Sequence, residues 1–178
     1  MRKVAIFGNT GGGKSTLARK LALRTRLPLH ALDKICYAEG GAAVPPEVYA
    51  KCHQDLLNEP EWIIEGYGSH ESLWTRLSEA DTLIYIDLPL PLHLWWVTKR
   101  FITGIFVAPE GWPKRSPLLR STLSSYRVLW LCHRHLTPKY RAYISTAAES
   151  KQVFHLRSRS DVAGFLREVN RDRLGRPP

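Results

Sequence analysis

The stretch that decides the fold is Gly8-Asn9-Thr10-Gly11-Gly12-Gly13-Lys14-Ser15, followed by Thr16. It fits the pattern G-x-x-x-x-G-K-[S/T] of loops that bind nucleotide phosphates, and we call residues 8–16 the phosphate loop. The apolar run 3–7 precedes it as a predicted strand, and residues 14–25 follow it as a predicted helix. A strand before and a helix after are the context that the motif requires, so the sequence predicts a nucleoside triphosphate site.

Each residue type of the phosphate loop has a chemical role. Glycines let backbone amides face a phosphate, and the N-terminus of the following helix adds partial positive charge. Lys14 is expected to reach the β- and γ-phosphates, and the Ser15 hydroxyl is expected to bind Mg²⁺. The sequence lacks the Asn/Thr-Lys-x-Asp signature of guanine recognition, so the predicted cofactors are ATP and Mg²⁺.

The composition is that of a globular protein with one domain over residues 1–178. Apolar residues make up 44% of the chain, which is enough for a sizeable core. Its three cysteines are scattered and odd in number, which favours reduced thiols in the cytoplasm. The sequence shows neither a signal-peptide pattern nor an uninterrupted apolar run long enough for a membrane span. We therefore expect a cytoplasmic protein with no membrane partner.

Positive charge is concentrated in one segment. The net charge of the chain is +10, and residues 99–141, here called the basic segment, hold nine Lys and Arg against Glu110 alone, a net of +8. A concentrated positive field attracts phosphates, so the basic segment either closes over bound nucleotides or holds a nucleic-acid backbone. A solvated basic face is the third interpretation.

Strand-like and helix-like stretches alternate, which predicts an α/β protein with a parallel sheet covered on both faces. The predicted strands are residues 3–7, 29–32, 62–65, 82–87 and 152–156. Helices are predicted between them, including 118–133 and 138–149, and Asp161 is predicted to cap the last helix.

Three carboxylates follow predicted strands, namely Asp33, Glu65 and Asp87. Ligands of parallel sheets bind beyond the carboxyl ends of the strands, so these side chains are expected to face the phosphate loop. Carboxylates there can hold Mg²⁺ through water or orient an acceptor hydroxyl. The alternative for each carboxylate is a helix cap or a partner for a nearby arginine.

These features together resemble small P-loop kinases of the adenylate-kinase-like group, and especially bacterial DNA topology modulation proteins and adenylate-kinase-related kinases. The resemblance spans roughly residues 1–170. The stretches that carry it are GGGKSTLARKL at 11–21, LHALD at 29–33, PEWIIEG at 60–66, RLSEADT at 76–82 and IYIDLP at 84–89. This chain departs from the group at Glu65, where an Asp is usual, and at Tyr67, where an Asn is frequent.

The resemblance implies a P-loop NTPase three-layer fold with a five-stranded parallel sheet in the order 2-3-1-4-5, helices on both faces and a lid. The lid would cover about residues 101–118. In such kinases lid arginines close on the transferred phosphoryl group, which makes Arg100, Arg120 and Arg127 the candidates here. Arg157 and Arg159 lie where relatives contact the base of the donor nucleotide.

The predicted function is ATP-dependent phosphoryl transfer to a small-molecule acceptor, preferably a nucleotide or nucleoside. Lys14 and the three candidate lid arginines would neutralise charge in the transition state. Asp33 would orient or deprotonate the acceptor hydroxyl, and Tyr37 and Arg76 would line the acceptor pocket. Ser15, Glu65 and Asp87 are the candidate Mg²⁺ ligands, directly or through water.

Two alternative functions rest on other observations. An NTP-dependent nucleic-acid-binding regulator is suggested by the basic segment and by aromatic residues within it that could stack on bases, namely Trp112, Tyr126, Trp130 and Tyr140. The second alternative is an NTPase without a small-molecule acceptor. Neither the oligomeric state nor the identity of the acceptor is predicted from the sequence.

Overall fold

Five parallel strands form the sheet of this protein, whose computed structural model describes residues 1–36, 42–104 and 118–174. The side chains of residues 100, 104, 118–121 and 171–174 lie outside that description. The strands are β1 (Lys3–Gly8), β2 (Leu29–Ala31), β3 (Trp62–Glu65), β4 (Thr82–Ile86) and β5 (Gln152–Leu156), in the order β2-β3-β1-β4-β5. The predicted fold class and strand order are confirmed. β3 and β4 are buried along their whole length, as strands covered on both faces are.

Helices cover both faces of the sheet. They are α1 (Lys14–Thr25), α2 (Asp33–Cys36), α3 (Pro46–Asn58), α4 (His70–Glu79), α5 (Leu90–Gly104), α6 (Leu118–Leu131), α7 (Thr137–Ala147) and α8 (Arg159–Leu174). Leu21 of α1 and Phe165 of α8 belong to one apolar cluster, whereas Leu73 of α4 and Tyr140 of α7 belong to a second. The two clusters lie on opposite faces because successive side chains of a strand alternate between them.

The break predicted between the two helices before β5 is wrong. α6 continues into α7 through a π-helical segment, Cys132–Leu136. The Thr137 N–H donates to the carbonyl of Cys132, five residues earlier, and Pro138 follows immediately. Pro138 has no N–H to donate, and its ring would crowd the turn before it, so a locally widened turn lets the helix continue through the proline.

The cap of α8 is Ser158 and not Asp161. The Ser158 hydroxyl accepts the N–H of Asp161 at 3.1 Å, and the Asp161 carboxylate accepts the N–H of Ser158 at 3.0 Å. This reciprocal pair satisfies two amide groups at the start of the helix, and the acidic member sits inside the first turn. The prediction named Asp161 alone and placed the helix start too late.

His53 should make the protein less stable in acid. It is buried on α3 against the ring of Tyr49, and burial, aided by the positive charge of Arg76, lowers the pKa of His53 from 6.5 to about 4. As the pH falls from 6.5 to about 4, the unfolded chain binds a proton that the folded chain does not, so stability decreases through this window. We expect His53→Phe to remove roughly 3 kcal/mol of that decrease, measured by urea unfolding between neutral and acidic pH.

The control is His135→Phe, because His135 is exposed on the π-helical segment. An unchanged pH profile in His53→Phe would contradict the assignment.

Candidate active site

The phosphate loop connects β1 to α1 and takes a backbone shape that only glycine tolerates well. Gly11 and Gly13 have φ values of 68° and 77°, in the left-handed region, and Gly13 is the residue that caps α1. The Lys14 Nζ donates to the carbonyl of Asn9 at 2.8 Å, so the ammonium group lies back across its own loop. Because α1 begins at Lys14, within the phosphate loop, the N-terminus of the helix lies in the loop, as a phosphate site requires.

Two helices from the second half of the fold fix the phosphate loop in place. The buried Asn9 amide donates to the carbonyl of Leu129 on α6 at 3.0 Å, and its oxygen accepts the N–H of Thr10 at 2.8 Å. On α5, the buried His93 Nδ1 donates to the carbonyl of Thr10, also at 2.8 Å. The loop is thus held by a backbone carbonyl of α6 and by a side chain of α5.

Glu65 meets the phosphate loop at the end of β3. It is buried, and the Ser15 hydroxyl lies near enough to favour its charged form. Burial raises the pKa of Glu65, the positive charge of Lys14 and the Ser15 hydroxyl act against that rise, and the neighbouring charge of Asp33 adds to it. Four of the predicted site residues, Lys14, Ser15, Asp33 and Glu65, therefore share one site.

Asp87 follows β4 and is already fully paired. Its two carboxylate oxygens accept the Nε and Nη2 groups of Arg141 at 2.8 and 3.0 Å, and Oδ2 also accepts the Nε2 group of His155 at 2.8 Å. Burial alone would raise the pKa of Asp87, but these hydrogen bonds outweigh it and hold the pKa below its ordinary value. A metal-binding role for Asp87 stays a prediction, and it would require these bonds to be exchanged.

Arg157 and Arg159 occupy different surroundings beyond β5. Arg157 donates to His155 Nδ1 at 3.2 Å and lines a cavity of about 740 Å³ that also reaches Asn9. The guanidinium of Arg159 stacks 5.1 Å above the ring of Trp96 on α5, and that ring lies beside Gly13 of the phosphate loop. The sequence did not single out Trp96 as a site residue, because an aromatic residue on a helix is more often core.

Arg76 is a cation buried beneath the loop that follows β3. Its side chain is fully buried on α4, and Nη2 donates to the carbonyl of Gly66 at 2.8 Å. Its Nε and Nη1 have no hydrogen-bond partner among the described residues. Burial lowers the pKa of Arg76 to about 10, so the guanidinium stays charged at neutral pH.

Several predicted site residues lie outside the described parts of the chain. Tyr37 and most of the predicted lid belong to residues 37–41 and 105–117, and the side chains of Arg100 and Arg120 are likewise not described. Arg127 is exposed on α6, two residues before the carbonyl that holds Asn9. Within residues 1–36, 42–104 and 118–174, no group of three or more His, Cys, Asp or Glu could hold a metal ion. No helix in those residues is long and apolar enough to cross a bilayer.

Solved kinases share this fold at low sequence identity. A shikimate kinase from Acinetobacter baumannii in complex with shikimate is 17% identical with a TM-score of 0.55, over 98% of this chain and 93% of the other. A shikimate kinase from Bacteroides thetaiotaomicron is 12% identical with a TM-score of 0.53, over 96% and 97% of the two chains. A sugar kinase from a Janibacter species is 17% identical with a TM-score of 0.50, over 98% and 92%.

Neither a family model nor a curated protein sequence matches this chain. The strand order and these structural neighbours show that the chain has an α/β fold of the P-loop NTPase type. The more specific resemblance to DNA topology modulation proteins stays a prediction.

Proposed function

We propose that this protein transfers the γ-phosphoryl group of ATP to a small acidic acceptor. The observation that carries the proposal is the shared site of Lys14, Ser15, Asp33 and Glu65 at the carboxyl end of a parallel sheet. Phosphoryl transfer depends mainly on positioning and charge neutralisation. This site supplies a phosphate loop, a lysine and two carboxylates in one place.

The strand that precedes each site residue indicates whether it would bind the phosphoryl donor, ATP, or the phosphoryl acceptor. Loop amides and Lys14 would hold the triphosphate, and the arginine–tryptophan pair beside Gly13 offers a surface for the donor base. The Ser15 hydroxyl and the Glu65 carboxylate are neighbouring hard oxygen ligands, so they would fit Mg²⁺, which neutralises phosphate charge when bound. Asp33, after β2, would accept a hydrogen bond from the acceptor hydroxyl.

Arg76 supports an acidic acceptor in preference to a neutral one. A buried guanidinium whose Nε and Nη1 atoms lack partners is costly, and an anionic group such as a phosphate or carboxylate is a strong acceptor for such donors. Because Arg76 is fully buried, we infer that the loop after β3 shifts when an acceptor binds. Among the acceptors considered from the sequence, this favours a nucleoside monophosphate over a nucleoside.

The nucleic-acid alternative has less support among the aromatic residues first considered for stacking. Tyr140 is buried in the core, and the Tyr126 hydroxyl hydrogen-bonds Thr98 on α5 at 2.5 Å. Trp112 lies outside the described residues, whereas Trp130 is exposed. Trp130 is therefore the one of the three described aromatics that is well placed to stack on a base.

The decisive experiment follows labelled phosphate from γ-labelled Mg·ATP into acceptors supplied as matched pairs. Nucleoside monophosphates are compared with their nucleosides, and sugar acids with their sugars. Label appearing in an acidic acceptor, well above the background without acceptor, supports the proposal. Label released only as inorganic phosphate, or faster with added DNA, would favour one of the alternatives and overturn it.

Arg76→Lys should raise the KM for the acidic acceptor about tenfold or more, because lysine keeps the charge but loses the planar fork. The KM for ATP should not change. The control is Arg167→Lys, on the exposed face of α8. If Arg76→Lys lowers stability while the KM for the acceptor stays at its wild-type value, Arg76 is only a structural residue. Initial rates and a thermal melt on the same preparations separate the two outcomes.

A further inference from the structure

Exposed apolar side chains are concentrated on two neighbouring helices. Among the described residues, seven of the eleven large hydrophobic side chains that are exposed belong to α5 and α6. The remaining four lie apart from one another in the sequence, at Met1, Leu23, Val48 and Tyr67. Apolar surface collected in this way marks a site of interaction.

Four of these side chains have matching positions on the two helices. Trp95 and Ile102 lie three residues before and four residues after Thr98, and Leu123 and Trp130 lie at the same offsets from Tyr126. Thr98 and Tyr126 hydrogen-bond each other across the α5–α6 contact. At either offset, a side chain is rotated about the helix axis by roughly 50° from the direction of the contact residue, and the direction of rotation is the same for both offsets.

The two apolar stripes therefore lie on the same side of the helix pair. α5 and α6 run antiparallel, because the phosphate loop is bonded by His93 near the start of α5 and by Leu129 near the end of α6. Equal angular offsets on antiparallel neighbours point to one side of the pair. Trp95, Ile102, Leu123 and Trp130 are 58%, 49%, 61% and 55% exposed, and we call them the apolar face.

Positive charge borders the apolar face on both helices. Lys99 lies between Trp95 and Ile102, Arg127 lies between Leu123 and Trp130, and both are exposed. Between residues 88 and 148 the sequence has nine Lys and Arg, and Glu110 is the one acidic residue. The surface thus combines tryptophan, aliphatic side chains and cations, which is the combination found on helices that lie at a membrane surface.

The charged and apolar side chains together favour one of three possible binding partners for this surface. A second copy of the chain would place this basic surface against itself, which like-charge repulsion opposes. A nucleic acid would use the cations and tryptophans but would leave Ile102 and Leu123 against polar phosphate and sugar. An anionic lipid surface uses all three groups, since acyl chains accept the aliphatic residues, the interface accepts tryptophan, and headgroups pair with Lys99 and Arg127.

We propose that the apolar face of α5 and α6 docks on anionic lipid bilayers. The proposal can be tested separately from the proposed phosphoryl transfer, because none of the four residues of the apolar face belongs to the candidate active site. It describes adsorption to the surface, with the side chains of the apolar face entering the headgroup layer, and it thereby departs from the expectation of no membrane partner.

Co-sedimentation of the full chain with vesicles tests this proposal. Phosphatidylcholine vesicles are compared with phosphatidylcholine vesicles containing phosphatidylglycerol, and tryptophan fluorescence is read on the same samples. We expect binding to the anionic vesicles, a blue shift of the emission, and weaker binding as salt is raised. Trp95→Ser with Trp130→Ser should reduce the bound fraction about tenfold or more. The control Leu23→Ser, which removes a more exposed apolar residue from α1, should bind as the wild type does.

Each of the following results would overturn the proposal. In the vesicle assay, they are no binding of the wild type to anionic vesicles, equal binding of the double variant and the wild type, or a loss of binding in Leu23→Ser as large as that in the double variant. In sedimentation velocity, it is a dimer of the wild type that the double variant abolishes. Tighter binding to a DNA duplex than to the anionic vesicles at the same salt would assign the surface to nucleic acid instead. Phosphate transfer measured on the double variant reports the candidate active site separately.

Discussion

Lys14→Ala is expected to lower the rate of phosphate transfer from ATP by at least about 10³-fold. The Lys14 ammonium is the cation on the phosphate loop itself; it donates to the loop carbonyl of Asn9, and its charge acts on the Glu65 carboxylate. An alanine leaves the charge that develops on the transferred group without its nearest neutralising partner. The rate is measured under saturating Mg·ATP, so that weaker nucleotide binding does not contribute.

The fold should survive this substitution, because the Lys14 side chain lies on the loop and outside both apolar clusters. Circular dichroism and a thermal melt check that expectation. Lys20→Ala is the matched control, since Lys20 is exposed on the same helix more than one turn further on. Full activity in Lys14→Ala would rule out the role assigned to the phosphate loop.

Gly8→Ala should destabilise the protein by about 3–5 kcal/mol, a backbone effect that is large for one methyl group. Gly8 pairs with Ile86 in the sheet, and a Cβ at position 8 would lie 2.3 Å from the Ile86 carbonyl oxygen. That oxygen belongs to the backbone of a central strand and cannot move aside. The φ of Gly8 is 137°, which adds backbone strain for any other residue.

Gly164→Ala is expected to change the free energy of unfolding in the opposite direction. Gly164 lies inside α8, and the nearest atom to its added Cβ would be the side-chain Nη2 of Arg167 at 3.8 Å. Alanine should therefore stabilise the helix by about 0.5–1 kcal/mol. Urea unfolding of the three proteins measures both effects. A midpoint for Gly8→Ala equal to that of the wild type would show that β1 and β4 separate more easily than their geometry indicates.

The bounds of strands were predictable from the sequence where burial of a continuous apolar run determines them. The apolar residues of β3 and β4 form continuous runs, so their bounds followed from burial on both faces, to within one residue. The order of the strands came from the resemblance to a known architecture. The π-helical segment was missed because the sequence around Pro138 carries the usual signal of a helix boundary, and only packing decides that the helix continues.

The candidate site was predictable where its residues are adjacent in sequence. Lys14 and Ser15 followed from spacing alone, and Glu65 followed from its place at a strand end. The partners of Asp87 were not predictable, because Arg141 and His155 lie 54 and 68 residues away in the chain and any exposed arginine would have matched as well. Trp96 and His93 form part of an apolar helix pattern, and the sequence does not say which turn of that helix meets the loop.

The hydrogen bond between Asn9 and Leu129 has a consequence for the order of events during synthesis. The phosphate loop leaves the ribosome before the other parts of the candidate site, yet one of its supports lies 120 residues later. A nascent chain that already contains β1, β3 and β4 still lacks the α6 carbonyl that orients the Asn9 amide. Contacts so distant in sequence form late and slowly. The earliest-made element of the candidate site is thus among the last to reach its final shape.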